Sequence, residues 1–161
     1  MNHKLDTTDR QIIQLLLKDG RMSNAEIARK IQGASERLVR YRIERLRKEK
    51  IIQISAIVNP IAIGFSLIAD VWVEVEAGQA VKVAKKLAEL DRARYVSFST
   101  GGMKDVTVQI VAHDLEEMYE YITEVIGNLP GVQKTQTMLI PGVLKDVGDW
   151  MPPEILSKDI P

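Results

Sequence analysis

Cysteine is missing altogether from the 161 residues, and histidine occurs only at His3 and His113. Without thiols there is no disulfide framework, thiolate metal site or cysteine nucleophile. No run of about 18 apolar residues could span a bilayer, and no apolar stretch behind a basic leader marks a secretory signal. A soluble protein of the cytoplasm is expected. No phosphate-binding glycine loop, dinucleotide fingerprint, zinc-ligand spacing or Ser/His/Asp arrangement is present, and His113 sits just before a helix cap as an ordinary strand-end residue. No catalytic residue, metal or cofactor is therefore assigned, and an enzyme is not expected. Net charge is also missing, with 22 Lys/Arg against 22 Asp/Glu. An even spread of such charge argues against a nucleic-acid partner, but the spread is uneven. Residues 1–50 hold 13 Lys/Arg and 7 Asp/Glu, and residues 51–161 hold 9 and 15. A basic segment precedes an acidic one.

The basic segment reads as three short helices. Asp6 can cap the first, over residues 6–18, with Asp9 in its first turn, Ile12, Ile13, Leu16 and Leu17 as its apolar stripe, and Gly20 as a left-handed stop. Ser23-Asn24-Ala25-Glu26 is a capping box for the second, whose inner face is Ile27, Ala28 and Ile31. After the turn Gln32-Gly33-Ala34, Ser35 can cap a third helix with Val39, Ile43 and Leu46 inside. Around that stripe stand Arg37, Arg40, Arg42, Arg45, Arg47 and Lys48, with Tyr41 among them. Exposed helix faces are often Lys/Arg-rich for solubility alone. Here the cations are mainly arginine, whose planar fork suits phosphate and guanine, and the helix follows another across a tight turn, as in a helix-turn-helix. DNA binding is the favoured reading.

The acidic segment changes period. Ile54 to Val58 reads as a short strand ending at Asn59-Pro60, and Val71, Val73 and Val75 alternate with Trp72, Glu74 and Glu76 in a longer one. A helical stripe follows in Val81, Ala84, Leu87, Ala88 and Leu90. Strands around Val96 and Val108 flank Gly101-Gly102 as a hairpin. Asp114 and Glu117 stand at capping-box spacing before a helix with Leu115, Met118, Ile122, Val125 or Ile126, and Leu129 inside; Pro130-Gly131 stops it, and residues 132–140 form the last strand. The order βαββαβ predicts an α+β, ferredoxin-like unit with both helices on one face of a four-stranded antiparallel sheet. The other face, carrying Trp72, Gln109 and Met138, is expected to meet a second copy. The tail after Pro141 is expected to be irregular and anchored by Trp150 and Met151.

Leu5-Asp6-x-x-Asp9-Arg10-x-Ile12-Ile13, Asp19-Gly20-Arg21-x-Ser23-x-x-Glu26-Ile27-Ala28 and Ser35-x-x-x-Val39-x-x-Arg42-Ile43-x-x-Leu46 closely resemble the DNA-binding domain of the Lrp/AsnC (feast/famine) transcriptional regulators. The resemblance continues through Asn59-Pro60-x-x-x-Gly64, Thr100-Gly101, Leu129-Pro130-Gly131-Val132 and Thr135-x-Thr137. It implies a (winged) helix-turn-helix domain over residues 1–52, a linker strand over 53–65, a ferredoxin-like ligand-binding and oligomerisation domain over 66–146, and a C-terminal extension over 147–161. It implies a pseudo-palindromic double-stranded operator, a homo-dimer assembling to a tetramer or octamer, and a small effector such as an amino acid. By position, Ser35, Glu36, Arg37, Arg40 and Tyr41 reach bases or nearby phosphates, while Arg42, Arg45 and Arg47 bind DNA backbone or the first helix. The effector site falls on Gly101, Gly102, Met103, Lys104 and Asp105 with Thr135, Gln136 and Thr137. A glycine pair lets amides approach a carboxylate, and Asp105 can bind an ammonium group. Two positions depart from the family pattern. Met103-Lys104 precedes Asp105 in a loop one residue longer, with Lys104 where an aromatic ring is usual, and Lys50 stands where glycine is usual. Haem-precursor decarboxylases among the relatives use additional histidines not found here, and a metabolite sensor without DNA binding is the alternative that the Arg-rich helix opposes.

Overall fold

Three helices, each opened by a side-chain cap, begin the chain: α1 (Thr7–Lys18), α2 (Asn24–Lys30) and α3 (Glu36–Lys48). The computed structural model describes residues 5–100, 104–146, 148, 150, 152, 153 and 155. They divide into two compact units, residues 1–57 with 145–161, and residues 58–144. In α1 the Asp6 carboxylate accepts the Asp9 amide at 2.8 Å and the Asp9 carboxylate accepts the Asp6 amide at 3.2 Å. Ser23 and Glu26 close the same reciprocal box on α2, and Ser35 Oγ accepts the Leu38 amide. Each cap satisfies amides that the first helical turn leaves without partners and is worth about 1 kcal/mol. Gly33, at φ +77°, makes the turn between α2 and α3.

The first unit buries Ile12, Ile13, Leu15, Ile27, Ile31, Val39 and Leu46. Leu17 is exposed and Leu15 takes its expected place, because a further 100° step past Leu16 carries residue 17 off the stripe. Nor does Gly20 stop α1: the stop is Asp19, in extended backbone, whose carboxylate accepts the Arg21 amide at 2.9 Å. Among the described residues of this unit, no wing strands accompany the three helices. Its core includes one residue from the far end of the chain, Ile155, only 3% exposed. The expected anchor Trp150 is exposed, and Met151 lies outside the described residues.

Residues 52–59 form no ladder, so the short strand expected at Ile54–Val58 is absent and Ile54, Ile57 and Val58 are exposed. An extended segment becomes a strand only where a neighbour takes its amides and carbonyls, and among the described residues none does. The second unit follows with β1 (Leu67–Val75), α4 (Ala80–Ala88), β2 (Ala93–Phe98), β3 (Val106–Ala112), α5 (Leu115–Glu120) running on as a π-helical turn over Tyr121–Ile126, and β4 (Val132–Leu139). The sheet order is β2-β3-β1-β4, all neighbours antiparallel, as the ferredoxin-like reading requires. One sheet face packs Val71, Val73, Val106, Val108 and Ile110 against Val83, Ala84 and Leu87 of α4 and against Met118, Ile122 and Ile126. Val81, Ala88 and Leu115, expected inside, are exposed. Two apolar spacings coexist in α4, and the one carrying the larger pair Val83 and Leu87 is buried, as area-proportional burial favours. Leu115 is the first residue of its helix, before the turn that meets the sheet.

Candidate nucleic-acid interface and ligand loop

The outer surface of α3 carries Glu36, Arg37, Arg40, Tyr41 and Arg47, all exposed, with Tyr41 61% exposed. Ser35 is exposed too, its hydroxyl oxygen spent on the helix cap. Arg40 lies 3.4 Å from Glu36, an i,i+4 pair in full solvent that stabilises by at most about 0.5 kcal/mol and yields readily to a phosphate. Arg42 and Arg45 behave differently, taking the inward of the two roles expected of them. Arg42 Nη1 lies 2.6 Å from Asp6 and 3.2 Å from Asp9, and Arg45 Nη2 lies 2.5 Å from Asp9. Both guanidinium groups are thus bound to the start of α1. Burial works against the Asp6 carboxylate, but the Asp9 amide and Arg42 outweigh it and lower its pKa. The Asp6 hydrogen bond in turn raises that of Arg42.

Asp9 was missing from the expected site. Its side chain is 1% exposed, yet it receives the Asp6 amide and both arginines. The signal was there in the spacing: Arg42 and Arg45 are three apart, as are Asp6 and Asp9, and such pairs face the same way on a helix.

In the second unit, Gly101, Gly102 and Met103 lie outside the described residues. Lys104 sets its ammonium over the indole of Trp72, a cation–π contact in place of the aromatic ring usual there. Its carbonyl accepts the Ser99 hydroxyl. Asp105 closes the hairpin: Oδ2 accepts the Val75 amide at 2.9 Å, its own amide donates to Val73 at 3.2 Å, and its carbonyl accepts from Ser99 at 2.9 Å. One carboxylate oxygen therefore already holds backbone.

The β4 residues do not converge with this loop as a group. Alternation along the strand puts Thr135 and Thr137, opposite Val73 and Val71, on the helix side. There they line a groove of about 420 Å³ with Leu115, Tyr119, Ile122 and Leu139. Gln136, opposite Trp72, lies on the helix-free face, 3.4 Å from Glu74. That face also carries Gln109 bound to Asp70 at 2.8 Å, the Glu74–Lys134 pair at 3.6 Å, and Met138. It mixes these polar and charged groups with Trp72 and Met138.

Known proteins of two kinds resemble this chain. Residues 5–47 match the AsnC-type helix-turn-helix domain, and residues 68–148 match the Lrp/AsnC ligand binding domain. The HTH-type transcriptional regulator FL11 of Pyrococcus abyssi is 38% identical over 141 residues, covering 87% of this chain and 91% of the relative. A transcriptional regulator from Neisseria meningitidis, solved as a complex with L-Met, superposes with a TM-score of 0.83 at 22% identity, covering 95% of this chain and 100% of that one. AsnC of E. coli superposes with a TM-score of 0.80 at 20% identity, covering 91% and 99%.

Proposed function

The chain belongs to the Lrp/AsnC family of HTH-type transcriptional regulators, and from that premise we propose that it reads a pseudo-palindromic operator through the outward face of α3. Ser35, Glu36, Arg37, Arg40 and Tyr41 meet base edges and nearby phosphates, and Arg47 meets backbone. Arg42 and Arg45 are withdrawn from the expected contact set. The observation that carries this reading is the division of the α3 arginines: Arg37, Arg40 and Arg47 face solvent, while Arg42 and Arg45 are bound to Asp6 and Asp9. A homo-dimer formed across the helix-free face of the sheet presents two such helices to successive major grooves about 34 Å apart. The amphipathic composition of that face supports this, and further assembly gives tetramers or octamers.

The second unit takes a small effector, and the L-Met complex of the Neisseria regulator supports an amino acid. Lys104, Asp105 and Gln136, on the hairpin and the helix-free face, hold it together with the loop residues Gly101, Gly102 and Met103, whereas Thr135 and Thr137 face the groove on the opposite side of the sheet and stand apart from that set. A ligand that prefers one assembly shifts the population toward it and so changes the spacing of reading heads. The role is regulatory rather than catalytic, and its compartment is the cytoplasm. The domains that go with this reading are residues 1–52 for DNA and 66–146 for ligand and assembly.

Selection of duplexes from a random pool, followed by anisotropy titration of the winning sequence, tests the proposal. Arg37→Ala and Arg40→Ala should each weaken operator binding while light scattering shows an unchanged oligomer. A chain that enriches no sequence, or variants that bind as the wild type does, would contradict it.

A further inference from the structure

Arg45 follows Tyr41 by four residues, so on an α-helix the two share a side. Tyr41 points to solvent, whereas the Arg45 guanidinium turns back to Asp9. Arg42 turns the same way, onto Asp6 and Asp9. Both arginines keep part of their surface, 21% for Arg42 and 30% for Arg45, and so stand at the rim of the head rather than within it. Asp9 is buried and held by the cap it shares with Asp6. Two aspartates thus neutralise two arginines on the helix whose remaining cations face outward.

We propose that Asp9 is a positioning residue for operator recognition: it keeps Arg42 and Arg45 away from phosphate, so that only the outward side chains of α3 engage DNA and sequence-independent attraction is held down. The proposal rests on the DNA-binding reading above. Each arginine released to a phosphate adds one counterion-displacing contact, steepening the log–log salt dependence by about 0.9. Specificity is the ratio of operator to non-specific affinity, and released arginines raise the second term without reading any base.

The full chain is titrated, over a salt series, against its selected operator and against a random-sequence duplex of equal length. Asp9→Asn should bind the random duplex several-fold more tightly, with a slope steeper by about 1 to 2, and the operator-to-random ratio should fall. Adding Arg42→Gln and Arg45→Gln to that variant should return the slope to the wild-type value, which a purely structural role for Asp9 does not predict. A folded Asp9→Asn protein with wild-type slope and wild-type random-duplex affinity overturns the proposal. If Asp9→Asn does not fold, the single variants Arg42→Gln and Arg45→Gln decide: unchanged slopes support the proposal, and a slope shallower by about 0.9 for either overturns it. Arg37→Ala separates the two claims. Loss of operator affinity there with a failed Asp9 prediction removes only the positioning role, whereas no loss removes the DNA-binding reading beneath it.

Discussion

The amide of Ile51 donates to the carbonyl of Leu46 at 2.9 Å, and inside that bond the amide of Lys50 donates to Arg47 at 3.0 Å. This paired closure is a Schellman motif ending α3, with Leu46 and Ile51 as its apolar contact. The motif needs a left-handed residue between them, and Lys50 supplies it at φ 57°, the one non-glycine at positive φ among the described residues. Lys50 stands where glycine is usual, and its left-handed backbone strains the junction.

Lys50→Gly should therefore stabilise the head. Relief of the left-handed conformation returns about 1–2 kcal/mol, and the extra freedom of glycine in the unfolded chain takes back about 0.5–1 kcal/mol. A net gain of roughly 0.5–1 kcal/mol in urea unfolding is expected from those terms. Lys50→Ala, which keeps the Cβ, should show none. Equal stability for all three chains would mean that the strain is relieved elsewhere.

Ile155 belongs to the core of the DNA-binding head. It is 3% exposed beside Ile12, Ile27 and Leu46, and its amide closes a turn on Pro152 at 2.9 Å. Truncating a buried isoleucine to alanine costs about 2–5 kcal/mol, so Ile155→Ala should lower hydrogen-exchange protection across α1 to α3 and leave the amides of β1 and β3 unchanged. Protection in α1 to α3 unchanged from the wild type would remove Ile155 from the core.

What could be read from the chain alone was local. Asp6, Ser23, Ser35 and Asp114 each announce a helix because a cap is decided within four residues, and the valines of β1 announce a half-buried strand because alternation has no second interpretation. The failures share a cause in distance. Periodicity allows two faces for α4, and only the sheet beneath selects Val83 over Val81. Ile54–Val58 has strand composition, but pairing needs a partner strand. Asp9 looks like half of a capping box until α3 brings two arginines to it from 33 and 36 residues away. Ile155 joins the buried cluster of Ile12 from the other end of the chain. The candidate ligand residues were drawn from two segments, and strand alternation, countable in the sequence, already separates Gln136 from Thr135 and Thr137.

Acid should expose the anchor at the start of α5. Glu117 accepts the His113 amide at 2.6 Å, meets the His113 ring at 2.8 Å and pairs with Arg92. The His113 amide and, after it, the Arg92 guanidinium hold its carboxyl at about 2, against an ordinary 4.5. The folded value lies below the unfolded one, so this stabilisation is complete above pH 4.5 and is lost as the pH falls through about 2. Glu117→Gln should melt below the wild type at neutral pH, and the gap should narrow between pH 4.5 and 2. A gap constant across that window would assign the effect to packing instead of charge.

Lys104 and Trp72 offer a spectroscopic report on the proposed ligand loop. The chain has two tryptophans, Trp72 and Trp150, so Trp150→Phe leaves Trp72 as the sole indole. Its emission then senses the ammonium on its face, an attraction worth about 0.5–1 kcal/mol at an exposed site and weak enough for a ligand to displace. Titration with a panel of amino acids should move the emission for those that also raise the melting temperature. Lys104→Met should give a different starting spectrum and a smaller change. Should an amino acid stabilise the protein while the Trp72 emission stays fixed in both chains, the effector does not engage the loop. Attention would then turn to the groove beside Thr135 and Thr137, where Thr137→Val, by removing a hydroxyl from the lining, should weaken the same stabilisation.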